Sequence, residues 1–347
     1  MTSDRPAAAA PAGAGTVAGP AAGPDRGPAP PTMADVLAAR ARIRPHLLPT
    51  PLHDWPGLGE LVGARVWVKH ENHLPTGAFK VRGGVNLLAC LDPATRALGV
   101  VAASTGNHGQ SVAWAARRFG VAATVYAPAG ANPVKVAAMR QLGATVVLSG
   151  RDFDDAREAC EARSRRDGSR YIHSGDEPLL IAGVATATVE VLEAEPDLEV
   201  LIVPVGGGTG AAAACLAARA LAPELEVIGV QSEAAPAAHD SWRQGRLVEA
   251  PMATAAEGLA TRTAFDLPQR ILRAHLDDFV LVTEAQLRGA MRSMLAHTRN
   301  LVEAAGAAPL AAALAHRDRW RGRRVGLMCT GGNVSPEQLS ALLTDGG

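Results

Sequence analysis

Two doubly wound α/β domains, each a parallel sheet wrapped by helices, with a ligand cleft between them, are the fold this sequence predicts. Three observations carry that expectation. Apolar strand-like runs alternate with helical segments along most of the chain. One run, Val200-Leu201-Ile202-Val203-Pro204-Val205, is nearly all apolar, as suits a strand covered on both faces. Glycine-rich stretches stand where strands give way to helices. Strands separated by helices favour parallel pairing through crossover connections.

In chain order, residues 1–31 are almost entirely Ala, Pro and Gly with a few charges. Such a composition cannot bury enough side chain to offset its ordering entropy, so a disordered tail is expected. Prolines 6, 11, 20 and 24 break any apolar core that a signal peptide would need. From Met33, the apolar residues Val36, Leu37, Ile43 and Leu47 predict an amphipathic helix ending before Pro49. Val66–Lys69 reads as a strand, and a helix runs on to Cys90. The first alternation then follows: strand Gly99–Ala103, helix Asn107–Phe119, strand Ala123–Ala127 and helix Pro133–Leu142 with proline in its first turn. Strand Thr145–Leu148, helix Phe153–Arg166 and strand Arg170–Ile172 close it. The second set comprises helix Pro178–Glu193, strand Val200–Val205, a helix from Ala211, strand Val227–Val230 and further helices. Strand Phe279–Val282, helix Glu284–His297, strand Val325–Met328 and a short helix from Pro336 end the chain.

Composition removes several function classes. At 347 residues the chain is long enough for about two domains without disulfides or metals. Lys plus Arg equals Asp plus Glu, 34 each, and the run Arg163–Arg166 reads as a solvated helix end, so no nucleic-acid partner is expected. No window approaches the uninterrupted apolar length of a membrane span. The four cysteines (Cys90, Cys160, Cys215, Cys329) form no paired motif, which suits free thiols in a reducing cytoplasm.

Three stretches carry candidate chemistry. Pro75-Thr76-Gly77-Ala78-Phe79-Lys80-Val81-Arg82-Gly83-Gly84 holds one lysine at the opening of an apolar segment. Burial lowers an amine's pKa and leaves part of it neutral and nucleophilic, as a Schiff-base lysine requires, and pyridoxal phosphate is the cofactor most often held this way. Alone, the stretch reads first as an ordinary lysine in the opening turn of a helix, and the next two stretches change that balance. Gly206-Gly207-Gly208-Thr209-Gly210, between a buried strand and an alanine-rich helix, suits a compact phosphate cup of backbone N–H groups. No Lys-Ser/Thr follows it, which excludes a nucleotide P-loop, and its spacing differs from a dinucleotide fingerprint. Ser104-Thr105-Gly106-Asn107-His108-Gly109 exposes N–H donors at a helix start to a carboxylate, although Ser, Thr and Asn also serve as plain helix caps. Asn107 could hydrogen-bond a phenolic oxygen, while His108 reads better as a structural hydrogen bonder than as a catalyst. Thr330, after the last strand, has a hydroxyl able to meet a pyridine nitrogen without donating a full proton. Cys329 reads as packing rather than as a nucleophile.

In this order, these pieces resemble the fold-type II pyridoxal-phosphate enzymes, the tryptophan synthase β-like fold, and within them the serine/threonine dehydratase (threonine ammonia-lyase) and serine racemase branch. Lys69–Asn72 with Thr76–Gly83 is similar to the cofactor-lysine motif. Ser104–Gln110 resembles the asparagine loop, Pro204–Gly210 the phosphate loop, and Thr330–Asn333 the pyridine-nitrogen motif. Ala131–Ala144, with Lys135, Arg140 and Gly143-Ala144, looks like part of the small domain. The likeness runs from about residue 34 to the end. It implies a tail over residues 1–31, a large cofactor-binding domain over 32–98 and 176–347, and a small domain over 99–175.

The resemblance also implies roles. Lys80 would carry the cofactor and Phe79 pack on its ring. Asn107 would bond the phenolic oxygen, Gly206, Gly207, Gly208, Thr209 and Gly210 the phosphate, and Thr330 the pyridine nitrogen. Ser104, Thr105, Gly106, Asn107 and His108 would hold the substrate carboxylate, with Glu303 at the cleft. The implied reaction is β-elimination from a hydroxy-amino acid such as L-threonine or L-serine, giving a 2-oxo acid and ammonia. The alternatives are an amino-acid racemase, with Thr105 as the second acid/base, or a dehydratase of 3-hydroxyaspartate or another specialised substrate. Ala78 stands where serine is usual, Thr209-Gly210 replaces a glycine and a larger apolar residue, and Ser174-Gly175 replaces a proline–aromatic pair. Ile181–Thr186 lacks the customary Gln-Gly. Near Glu233, His239 and Asp240 do not reproduce the divalent-metal site of the racemase branch, so no metal is expected. A homodimer is expected by analogy.

Overall fold

The computed structural model describes residues 27–344; most of the tail expected over 1–31 lies outside the described residues. Among the described residues, ten strands form two sheets. The strands are β1 (Leu52–Asp54), β2 (Arg65–His70), β3 (Val100–Ala103), β4 (Ala123–Ala127) and β5 (Thr145–Leu148). They continue with β6 (Arg170–Tyr171), β7 (Val200–Pro204), β8 (Glu226–Ser232), β9 (Asp278–Val282) and β10 (Arg324–Cys329). The larger sheet has the order β1-β2-β10-β7-β8-β9 and the smaller β5-β4-β3-β6.

The apolar run of the sequence becomes β7, buried throughout at the middle of the larger sheet. Its side chains divide by alternation. Leu201 and Val203 enter the cluster on one face, while Val200 and Ile202 enter the cluster on the other. β2 divides likewise, Trp67 to one side and Val66 with Val68 to the other. Both faces are therefore covered, which is why these strands read as continuous apolar runs. The smaller sheet is parallel throughout.

The structure corrects the sequence reading in four places. The larger sheet is mixed, because β1 pairs antiparallel with β2 as a three-residue edge. Two prolines, Pro51 and Pro56, bracket it and leave no periodic signal. The first helix ends at Ile43, capped by Thr32 and Asp35, and Leu37 lies on its exposed face. The buried Leu47 lies beyond the helix. The helix after the glycine stretch begins at Thr209 rather than Ala211. An unanticipated helix, Ala304–Ala315, is buried almost all round and contains Pro309. Its near-uniform alanine content gives no 3.6-residue contrast to detect.

Candidate active site

Lys80 occupies the N-cap of the Val81–Cys90 helix, and its turn is held from three sides. The Phe79 N–H donates to the Thr330 carbonyl at 3.0 Å, and Ala78 bridges to Gly331, so the turn lies along the end of β10. The Ser111 hydroxyl donates to the Lys80 carbonyl at 2.7 Å. Gly77 has φ +64°, and a side chain there would meet Asn333 Oδ1 at 2.6 Å, so this turn requires glycine.

The amine of Lys80 has an unusual setting among the chain's three lysines. Lys69 is buried and paired with Glu190 at 2.5 Å, and Lys135 is paired with Glu257. Lys80, with its amine 5.1 Å from the Phe79 ring, has no carboxylate partner among the described residues. The surrounding protein displaces water without supplying an opposite charge, and this pushes the Lys80 pKa down to about 8. Such an amine is available as a nucleophile near neutral pH.

The glycine stretch meets this lysine turn directly: a Cβ on Gly210 would lie 3.4 Å from the Phe79 ring. The N–H groups of Gly206, Gly207 and Gly208 find no backbone acceptor among the described residues. Thr209 and Gly210 begin a 13-residue helix, whose first-turn N–H groups have no intrahelical partner. The result is a cluster of donors at the positive end of a helix dipole, suited to a phosphate. The Thr209 hydroxyl donates away from this cluster, to the Ser174 carbonyl at 3.1 Å, so its main-chain N–H is the group left for an anion.

Across the cleft, Ser104 Oγ accepts the N–H groups of Gly106 at 3.1 Å and Gly109 at 2.9 Å. This fixes the loop that leads into the Asn107–Phe119 helix. His108 Nε2 lies 3.1 Å from the Ile172 carbonyl, so it carries the proton. Burial, with Lys80 nearby, pushes the His108 pKa down to about 3 and keeps the ring neutral. Thr105 is half-buried at the loop tip. Asn107 donates to Glu303 Oε1 at 2.8 Å and accepts from Asn333 Nδ2 at 2.8 Å, which leaves one amide hydrogen unused. Thr330 is buried at the end of β10, and Cys329 beside it donates its thiol to Asn72 Oδ1 at 3.3 Å, as a packed residue does.

These donors fit an aldehyde-bearing aromatic phosphate. An unpaired amine can meet the carbonyl, an aromatic face can meet the ring, free N–H groups can hold the phosphate, and a hydroxyl stands at the strand end for a ring nitrogen. The family model for "Pyridoxal-phosphate dependent enzyme" matches residues 43–331. This chain belongs to that family. Over 316 residues it is 36% identical to an L-threonine ammonia-lyase of Thermotoga maritima, covering 91% of this chain and 79% of the relative. An L-threo-3-hydroxyaspartate ammonia-lyase of Pseudomonas is 37% identical, covering 89% and 97%. The crystal structure of a serine racemase from Dictyostelium discoideum superposes with a TM-score of 0.83 at 31% identity, covering 88% and 99%.

In this pyridoxal-phosphate enzyme, sequence reasoning did not reveal how Asn333 joins Thr76, through its carbonyl at 2.9 Å, to Asn107. It also missed Glu257, which comes from an irregular segment with no motif. Glu303 lies against the Lys135–Glu257 pair in a cavity of about 250 Å³. Burial pushes the Glu303 pKa up to about 7, although Lys135 and Asn107 pull it down. A carboxyl with a raised folded-state pKa penalises folding progressively as pH climbs from the ordinary glutamate range to about 7. The penalty has an upper bound of about 3 kcal/mol, reduced by the solvent that the carboxyl still meets. Glu303→Gln removes it. In thermal melts of the cofactor-free protein, this variant is expected to gain on the wild type between pH 5 and pH 8.

Proposed function

We propose that this chain removes water and then ammonia from a hydroxy-amino acid, L-threonine or L-serine, to give 2-oxobutyrate or pyruvate. The observation that carries this reading is the unpaired Lys80 amine, placed beside a cluster of unused backbone donors. When bound, pyridoxal phosphate supplies an electron-accepting ring that stabilises charge on the substrate's α-carbon.

The chain's own residues do the rest. With pyridoxal phosphate bound, Lys80 Nζ would hold it covalently, and the freed amine would take the substrate's α-proton. The N–H groups of Thr105, Asn107 and His108, which find no acceptor among the described residues, receive the substrate carboxylate at the start of the Asn107–Phe119 helix, with His108 fixed as a neutral donor to Ile172. The remaining Asn107 amide hydrogen would meet the phenolic oxygen, and the N–H groups of Gly206–Gly210 would hold the phosphate. Thr330 would offer the ring nitrogen a hydroxyl rather than a carboxylate. The α C–H and β C–O bonds break, and one water leaves. Hydrolysis of the released enamine consumes one water and frees ammonia.

A racemase reading draws on Thr105, whose half-buried hydroxyl stands at the loop tip as a second acid/base. Product analysis separates the two. Purified protein with pyridoxal phosphate is given L-threonine, L-serine and L-threo-3-hydroxyaspartate separately, and the 2-oxo acid and the enantiomer of the remaining substrate are both followed. A 2-oxo acid without D-isomer is expected. D-isomer without 2-oxo acid would replace this reading with the racemase.

A further inference from the structure

The three leading glycines of the phosphate loop share an unexpected constraint. A Cβ on Gly206 would lie 2.2 Å from the Gly258 carbonyl, on Gly207 2.2 Å from Phe265 Cε2, and on Gly208 2.9 Å from Pro268 Cβ. One segment, residues 258–268, thus packs against all three glycines of the loop, whose N–H groups find no backbone acceptor among the described residues. Phe265 is the large side chain in that cover. The same ring edge also fills the space above Gly175, where a Cβ would sit 2.1 Å from Phe265 Cδ2. Phe265 is therefore wedged between the phosphate loop and the turn after β6.

That turn is fastened to the same parts by polar contacts. Thr209 Oγ1 donates to the Ser174 carbonyl at 3.1 Å, and the Leu267 N–H donates to Asp176 Oδ1 at 2.8 Å. The His173 ring stands edge-on to Phe265, with centroids 4.9 Å apart. Its Nδ1 accepts the N–H groups of Gly175 at 3.1 Å and Asp176 at 2.8 Å, which fixes the ring's orientation. The wedge closes a small frame: β6 turn, phosphate loop, and the N-terminus of the Asp266–His275 helix.

We propose that Phe265 is a positioning residue for the cofactor's phosphate: it keeps water off the donor groups and holds them in register. An anion bound by N–H groups gains more where solvent is excluded, and a loop already held in its binding shape loses less freedom on binding. The ring lies against Gly207 of the phosphate loop, so its effect is expected on the phosphate. This inference rests on the pyridoxal-phosphate reading of the site.

The test compares two ligands that differ only in the phosphate. Dissociation constants of pyridoxal phosphate and of pyridoxal are measured by absorbance titration on cofactor-free wild type, Phe265→Ala and Phe265→Leu. Melting of each cofactor-free protein is recorded alongside. Phe265→Ala is expected to weaken pyridoxal phosphate by about tenfold or more and to leave pyridoxal within about twofold. Phe265→Leu, which keeps most of the apolar bulk, loses less and stands in should the alanine variant not fold. Equal weakening of both ligands, or unchanged affinity for pyridoxal phosphate, would overturn the proposal. A wild type that binds neither ligand would instead overturn the cofactor reading, and this proposal with it.

Discussion

Replacing Lys80 by alanine is expected to lower 2-oxo acid formation roughly a thousandfold or more, because the group that moves the α-proton is gone. Folding is expected to survive. The Lys80 amine pairs with no carboxylate among the described residues, and its neighbours Phe79 and Ser111 are held through main-chain contacts that alanine keeps. The melting temperature of the cofactor-free variant therefore stays near that of the wild type, while turnover and the visible absorbance of bound cofactor fall together. A variant retaining a tenth of the activity would remove Lys80 from the mechanism.

Arg82→Ala is expected to act in the opposite manner, through folding. Arg82 is buried and makes forked contacts with two carboxylates: Glu71 at 2.6 and 2.8 Å and Glu190 at 2.6 and 2.8 Å. Lys69 adds a contact to Glu190, and the Thr50 hydroxyl donates to Glu71 at 2.6 Å. Burial works against the guanidinium charge, and the two carboxylates more than offset it. Removing Arg82 takes away the direct ion-pair partner of Glu71 in the core and leaves it only the charge of Lys69 nearby, which costs about 3–5 kcal/mol. Urea unfolding reads this as a lower midpoint. The double variant Arg82→Met with Glu71→Leu keeps the Lys69–Glu190 pair neutral and is expected to recover much of the loss. If Arg82→Ala alone left the midpoint unchanged, the ion cluster would carry no stability.

The features that read clearly from the sequence share a physical cause. β7 is apolar at successive positions because both faces of its sheet are covered, and the Asn107–Phe119 helix begins at a glycine-bounded turn. Lys80, Asn107 and the glycine stretch lie next to small residues in runs that few other structures would need. What escaped the sequence depends on partners far along the chain. Phe265 meets glycines at 175 and 207, and Glu257 meets Lys135 across the cleft. No local pattern marks either contact. β1 and the Ala304–Ala315 helix escaped for the opposite reason: one is too short and the other too uniform to show a period.

The mechanism requires one particular lysine to carry the cofactor, and the chain has three, Lys69, Lys80 and Lys135. Protein loaded with pyridoxal phosphate, reduced with borohydride and digested, will show by mass spectrometry which peptide bears the pyridoxyl group. The peptide containing Lys80, and no other, is expected to carry it. Labelling of Lys69 or Lys135, or of no lysine in protein that had bound the cofactor, would contradict the mechanism.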